Sequence, residues 1–184
     1  HPVHFPLSLS MPTPTYLESF DIRQLLADFP LDEGFVARHR SLSRDELFAR
    51  QDVQFRRCVA RAWQIPFYQR LWGSHGIEAG DIRGLADIGR LPVFGKHEIM
   101  DSVARKPPLG DFHGWRDGST AGDVPLIFHT TSGTTGRPQP LVFSPRSREV
   151  QSILLARLYR WQGLRAGDVV HSVYGHGMIN GGHY

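Results

Sequence analysis

Cysteine is nearly absent from this chain, whose 184 residues contain only Cys58. A single cysteine excludes an intramolecular disulfide framework and is compatible with a reducing compartment. Cys58 lies on the apolar side of a predicted helix, which favours a buried structural thiol over a reactive nucleophile. We therefore expect neither disulfide cross-links within the chain nor thiol catalysis.

Long hydrophobic runs are also missing from the sequence. No segment approaches the about 18 consecutive apolar residues that a membrane-spanning helix needs. No positively charged segment precedes the short apolar patch near the start, so a secretory signal peptide is not indicated. We expect a soluble cytoplasmic protein with no membrane partner.

Lysine is scarce, and charge of one sign does not accumulate. Lys96 and Lys106 stand beside 19 arginines, and the 21 basic residues give a net charge of only +3 against 18 acidic ones. No basic run with interleaved aromatic residues occurs, which favours a surface of mixed charge over a nucleic-acid interface. Neither lysine lies in the Gly-x-x-x-x-Gly-Lys pattern, which excludes a Walker-type P-loop.

The remaining composition suits a globular protein, because 40% hydrophobic and 11% aromatic residues suffice for a packed core. The chain begins with His1 and first reaches methionine at Met11, so we interpret residues 1–10 as a non-native or upstream leader. It stops at Tyr184 inside a glycine-rich stretch, and we interpret it as a fragment.

A long helix is predicted after Leu42. Ser43 and Glu46 form a capping box, and the helix is expected to end near Pro66. Its proposed apolar face comprises Leu47, Phe55, Cys58, Val59 and Ala62.

Further helical signals follow. An aromatic cluster at residues 65–72 predicts a second, short helix that ends around residues 73–76 and packs into the core. Another helix is expected near Lys96. Residues 106–122 are rich in proline and glycine and are typical of a long irregular connection.

The clearest chemical signal is a loop of hydroxyls and glycines within residues 128–138. Short apolar strands are predicted on both sides, over residues 126–130 and 141–144. Glycines can adopt φ > 0 and let the backbone close on a ligand, while hydroxyls add donors beside the exposed N–H groups. This combination suits a polyphosphate. The candidate residues are Thr131, Ser132, Gly133, Thr134, Thr135 and Gly136.

An α/β fold is indicated by the elements after this loop. Ser144 can cap a helix with Pro145 at its first position, and Gly163 can close it. Apolar residues at positions 150, 153, 154, 158 and 161 follow helical spacing. Residues 169–174 are then predicted to form an apolar strand, which gives the order strand, loop, strand, helix, strand.

A second glycine-rich segment follows that strand, where open α/β sheets bind their ligands. The candidates for lining a pocket there are Tyr174, Gly175, His176 and Gly177. A turn that binds nothing remains an alternative. A zinc site that joins His171, His176 and His183 is disfavoured because these residues lack paired short spacing. A dinucleotide fingerprint is disfavoured because Asn180 takes its third glycine position.

The loop sequence Thr-Thr-Ser-Gly-Thr-Thr-Gly-Arg-Pro resembles the phosphate-binding signature of the adenylate-forming superfamily. Within that superfamily, the order Pro-Phe-Tyr, Gly-Ile, Asp-Ile, Leu-Pro and Lys in the helical region resembles phenylacetate-CoA ligases. So does Tyr-Gly-x-Gly at residues 174–177. Gln139 stands where many members carry lysine, a replacement that the phenylacetate branch tolerates.

This resemblance implies how the chain is divided into regions and what each region does. Residues 11–122 are expected to form an N-terminal helical region with its linker, and residues 123–184 the start of an incomplete AMP-binding core. The loop is expected to hold the ATP phosphates, and residues 174–177 to shape the acyl pocket. The catalytic residues are expected after Tyr184, so the fragment itself is predicted to be inactive.

The resemblance also implies an activity for the full-length enzyme. It is expected to join a carboxylic acid, with an aromatic acid favoured, to ATP in the presence of Mg²⁺. The acyl adenylate would then react with coenzyme A. Two alternatives stay open: transfer of the acyl group to an amine or carrier protein, and a non-catalytic nucleotide-binding module.

Overall fold

The computed structural model describes residues 14–115, 124–133, 136–175, 177 and 180–182. The helices and strands in these residues are α1 Ile22–Asp28, α2 Glu33–Arg40, α3 Arg44–Ala62, α4 Pro66–Gly73, α5 Lys96–Arg105, β1 Ile127–Thr130, β2 Pro140–Phe143 and α6 Pro145–Trp161. Short 3₁₀ segments cover Leu17–Ser19, Leu85–Arg90 and Asn180–Gly182. None of the described helices is long and apolar enough to cross a membrane.

The capping box predicted for α3 is present. Ser43 Oγ accepts the Glu46 N–H at 3.2 Å, and the Glu46 carboxylate accepts the Ser43 N–H at 2.8 Å. These bonds satisfy donors that the first turn of a helix leaves open. α3 ends at Ala62, close to the predicted limit at Pro66, and Pro66 itself begins α4.

Cys58 is exposed, so the predicted burial of its thiol is wrong. The buried residue of α3 is Val59, and Phe55 and Ala62 pack against the core beside it. Each residue turns a helix by about 100°, which places Cys58 well to one side of Val59. Leu47, assigned to the same apolar face, is also exposed.

The core of the helical region forms where α3 and α4 meet. Its buried members are Val59, Trp72, Ile77 and Ile82, each at most 7% exposed. Trp63 meets Trp72 edge to face, with ring centroids 5.2 Å apart, which adds to the stabilisation from apolar burial. The core packing predicted for the aromatic cluster is confirmed.

A carboxylate joins α4 and α5 to the connection that follows them. Asp111 accepts two hydrogen bonds from Arg70 in α4, at 2.7 and 2.8 Å. Ser102 in α5 is 2% exposed and donates to the same carboxylate at 2.7 Å. The Arg70 guanidinium, aided by the Ser102 hydroxyl, holds the pKa of Asp111 at about 2. Residues 106–115 contain neither helix nor strand, in agreement with the irregular connection predicted for residues 106–122, and 116–123 lie outside the described residues.

The strands predicted around the hydroxyl loop form an antiparallel hairpin. Phe128 lies opposite Val142, and Thr130 lies opposite Pro140. β1 and β2 each lie within one residue of their predicted bounds. This pairing, with the helices around it, agrees with the predicted α/β class.

α6 follows the hairpin directly and begins as predicted. Ser144 Oγ accepts the Ser147 N–H at 3.2 Å, and Pro145 takes the first helical position. The apolar stripe is only partly correct. Ile153 is buried, but about half of each side chain is exposed at Leu154, Leu158 and Trp161.

Arginines of α6 hold the first described segment of the chain. Arg157 lies over the Phe35 ring, 3.7 Å from its centroid, and donates to the Pro30 carbonyl at 3.1 Å. Arg146 binds Asp28 at 3.3 Å. The region of α1 and α2 is therefore packed on the helix that leaves the loop hairpin.

The predicted strand at residues 169–174 does not form, and this prediction is wrong. Val169 is 98% exposed and Val173 is 92% exposed. The sheet in the described residues consists of β1 and β2 alone. A strand is stabilised by a hydrogen-bonded neighbour, and the described residues pair none with this segment.

Candidate functional site

The ends of the hydroxyl loop are tied together by two hydrogen bonds. The Thr131 N–H donates to the Gln139 carbonyl at 3.1 Å. The Gln139 N–H donates back to Thr131 Oγ1 at 3.0 Å. The hairpin ladder is thus extended by one step beyond β1 and β2. We call the hydrogen-bonded pair of Thr131 and Gln139 the loop neck, and it fixes where the loop begins and ends.

Gly133 makes the turn inside the loop. Its φ of 71° lies in the left-handed region, where a side chain is strained. A Cβ on Gly133 would lie 2.9 Å from Pro138 Cγ and 3.0 Å from the Gly136 carbonyl oxygen. The loop therefore needs glycine here for both its conformation and its internal packing.

Gly136 differs from Gly133 in what surrounds it. Its φ is 126°, and a Cβ built on it meets no atom of the described residues within 4 Å. Its N–H donates to the Gly133 carbonyl at 2.9 Å. The backbone at Gly136 is consequently open to the approach of a ligand.

The hydroxyls predicted to bind phosphate have different environments. Thr131 is partly buried, and its oxygen accepts the neck bond, which leaves its own proton for another acceptor. Ser132 is exposed, as is Arg137, the cation of the loop. Thr134 and Thr135 lie outside the described residues. The structure therefore brings Thr131, Ser132 and the two glycines onto one tight turn.

The second predicted segment is described at Tyr174, Gly175 and Gly177, whereas His176 lies outside the described residues. Tyr174 is 56% exposed. A Cβ on Gly181 would lie 2.9 Å from the Tyr174 hydroxyl oxygen. The tyrosine therefore folds back over the 3₁₀ segment Asn180–Gly182.

The two glycines of this second segment are clear of the described side chains. Among the described residues, a Cβ on Gly175 or Gly177 meets nothing within 4 Å.

Arg148, which sequence reasoning missed, lies between the two segments. It is 8% exposed although it belongs to the first turns of α6, where the positive end of the helix dipole disfavours a cation. That unfavourable placement was the signal available in the sequence. Arg148 Nη1 lies 3.3 Å from Asn180 Oδ1.

Among the described residues, no group of three or more His, Cys, Asp or Glu side chains could hold a metal ion. Of the histidines in the zinc alternative, His171 is described and exposed, while His176 and His183 lie outside the described residues.

Sequence similarity to two curated proteins shows which enzymes this chain is related to. It is 32% identical over 141 residues to the phenylacetate-coenzyme A ligase of Aromatoleum evansii, a match that covers 76% of this chain and 30% of the relative. It is 32% identical over 143 residues to the enzyme of that name from Thermus thermophilus, which covers 77% and 30%. The chain is related to the phenylacetate-CoA ligases. It spans about 30% of the length of these relatives, and no protein-family model matches it.

A solved structure supports the same relationship. A 2-hydroxyisobutyryl-CoA ligase, in complex with 2-HIB-AMP and CoA, matches with a TM-score of 0.61 and 28% identity. The match covers 70% of this chain and 26% of the ligase. The predicted resemblance to phenylacetate-CoA ligases and the predicted α/β class are confirmed. The predicted domain boundaries and the roles of individual site residues stay predictions.

Proposed function

We propose that this chain supplies the ATP phosphate-binding loop of a carboxylic acid–CoA ligase that forms an acyl adenylate and then an acyl-CoA thioester. The observation that carries this proposal is the tied, glycine-dependent turn at residues 131–136. That turn lies in a chain related to phenylacetate-CoA ligases. The remaining catalytic groups are proposed to lie in other parts of a longer enzyme.

The proposed role of the loop is to bind and orient the β- and γ-phosphates of ATP. The exposed hydroxyl of Ser132 and the hydroxyl proton of Thr131 offer donors on the same turn. Gly136, whose N–H is bonded to the Gly133 carbonyl, adds no side chain that would block the approach of a phosphate. Fixed donors of this kind stabilise charge on the leaving pyrophosphate without reorganisation during the reaction. Thr134 and Thr135 are proposed to add two hydroxyls. Mg²⁺, when bound, would neutralise charge on the phosphates.

The proposed substrate is a small carboxylic acid, with an aromatic acid favoured by the relationship to phenylacetate-CoA ligases. Tyr174, Gly175, His176 and Gly177 are proposed to line the acyl pocket. The absence of side chains at Gly175 and Gly177, where a Cβ would meet none of the described atoms, supports this assignment because it leaves room for the acid. Coenzyme A is the proposed acceptor, because the relatives are named CoA ligases.

The phosphate assignment is tested by removing hydroxyls from the loop of the full-length enzyme. Ser132→Ala combined with Thr134→Val should slow acid-dependent ATP–pyrophosphate exchange by about 10²-fold, because phosphate donors are lost. Ser41→Ala, which removes an exposed hydroxyl outside the loop, is the matched control and should leave exchange unchanged. Wild-type exchange rates in the double variant would contradict the assignment.

A further inference from the structure

We propose that Arg148 is a positioning residue that couples the phosphate-loop hairpin to the candidate acyl pocket. This inference rests on the proposed function of the two segments. It adds a physical link between them, carried by one buried side chain.

The burial of Arg148 needs compensation. Its side chain is nearly removed from water at 8% exposure, which costs free energy unless its donors find acceptors. The nearby N-terminus of α6 adds an unfavourable dipole. An arginine in this place is therefore stabilised by the specific contacts that it makes.

Within the described residues, Arg148 contacts three parts of the structure. Arg148 Nη1 lies 3.2 Å from Gln151 Oε1 within α6 and 3.3 Å from Asn180 Oδ1. The guanidinium carbon lies 5.9 Å from the centroid of Phe143, the last residue of β2. The same side chain thus contacts the strand that leaves the loop, the helix after it and the 3₁₀ segment Asn180–Gly182.

The same 3₁₀ segment also lies against Tyr174. Gly181 approaches the tyrosine so closely that its missing Cβ would lie 2.9 Å from the hydroxyl oxygen. Arg148 therefore holds Asn180, and the turn that contains Asn180 supports Tyr174. A shift of the guanidinium is transmitted to the candidate acyl pocket through packed atoms.

Arginine suits this role better than lysine. Nη1 of its planar group donates to two amide oxygens while the guanidinium also lies near an aromatic ring, whereas an ammonium group has no such plane. Arg148→Lys should consequently restore only part of the function lost in Arg148→Met.

The kinetic test uses the full-length enzyme and a double-mutant cycle. Arg148→Met should raise the KM for the acid about tenfold, with the KM for ATP changed by less than about twofold. Asn180→Ala should have a similar effect, and the double variant should add little to either single change. Arg146→Met is the matched control, because Arg146 lies in the same turn but binds Asp28, and its KM values should stay unchanged. Additive effects, or equal rises in both KM values, would overturn the proposal.

A second readout is independent of catalysis. Hydrogen exchange in the 3₁₀ segment Asn180–Gly182, measured in the 184-residue chain, should become about tenfold faster in Arg148→Met while β1 and β2 keep their protection. Asn180→Ala should give the same local change if Arg148→Met does not fold. Unchanged exchange in a folded variant would overturn the link. A failure of ATP–pyrophosphate exchange in the unmodified enzyme would instead refute the proposed function.

Discussion

The region of residues 43–115 and the region of residues 124–182 differ in how they cover their apolar side chains. In the first, Trp72 and its neighbours form a closed core in which each buried member is at most 7% exposed. In the second, Ile153 is buried, but Val169 and Val173 are more than nine-tenths exposed. The first region also exposes single apolar side chains such as Val93. The difference is that the second region exposes several apolar side chains within one short segment, residues 169–173.

The second region depends more on polar contacts than the helical region does. The loop neck in the second region depends on the two hydrogen bonds between Thr131 and Gln139, and its glycine-rich segment contacts Arg148 through Asn180. Such bonds fix geometry but contribute only about 1 kcal/mol each to stability. We infer that the helical region supplies most of the stability and the other region supplies the candidate site.

The largest expected effect is the loss of the helical core. Trp72→Ala should reduce the free energy of unfolding by about 3–5 kcal/mol, since it removes a buried ring that packs against Trp63. Urea unfolding of the 184-residue chain measures this change. Val93→Ala, at a side chain that is 97% exposed, is the control and should change stability by less than about 0.5 kcal/mol. Similarly small changes in the free energy of unfolding of both variants would contradict the inference that the helical core supplies most of the stability.

An intermediate effect is expected at Asp111. Asp111→Asn should cost about 1–3 kcal/mol, because it weakens the charged hydrogen bonds from Arg70. Asp101→Asn is the control. Asp101 lies 3.3 Å from His97 with about half of its side chain exposed, and the loss of its charge should cost less than about 0.5 kcal/mol.

The pH dependence of the Asp111 contribution has a definite sign. Because folding lowers the pKa of Asp111 from 3.8 to about 2, its contribution is present above pH 3.8 and is lost as the pH falls toward 2. Unfolding measured across this window should be less pH-dependent in Asp111→Asn than in the unmodified chain. Identical pH profiles would contradict the role assigned to Arg70.

The smallest expected effect tests the exposed segment. Val173→Thr should change the stability of the 184-residue chain by less than about 0.5 kcal/mol, because Val173 is 92% exposed. In the proposed longer enzyme, burial of this segment would make the same hydroxyl cost about 1–3 kcal/mol. Unfolding of both proteins measures the difference. Equal, small effects in both would show that the segment stays exposed.

Local signals in the sequence predicted local structure well. The capping box at Ser43, the cap at Ser144 and the hairpin strands all depend on residues a few positions apart. Predictions that required knowledge of neighbours were less successful. Cys58 was assigned to the core because helical spacing alone does not show how wide the buried face is. Residues 169–174 have strand-like composition, but a strand also requires a partner.

The sequence by itself determined the hydroxyl loop, its flanking strands and the relationship to CoA ligases, because motif order and short-range hydrogen bonding are written in consecutive residues. Only the tertiary structure decided that Arg148 is buried and contacts Asn180, and that Tyr174 lies against Gly181. These contacts join residues up to 32 positions apart. Their formation depends on how α6 and the glycine-rich segment pack together, which no local pattern specifies.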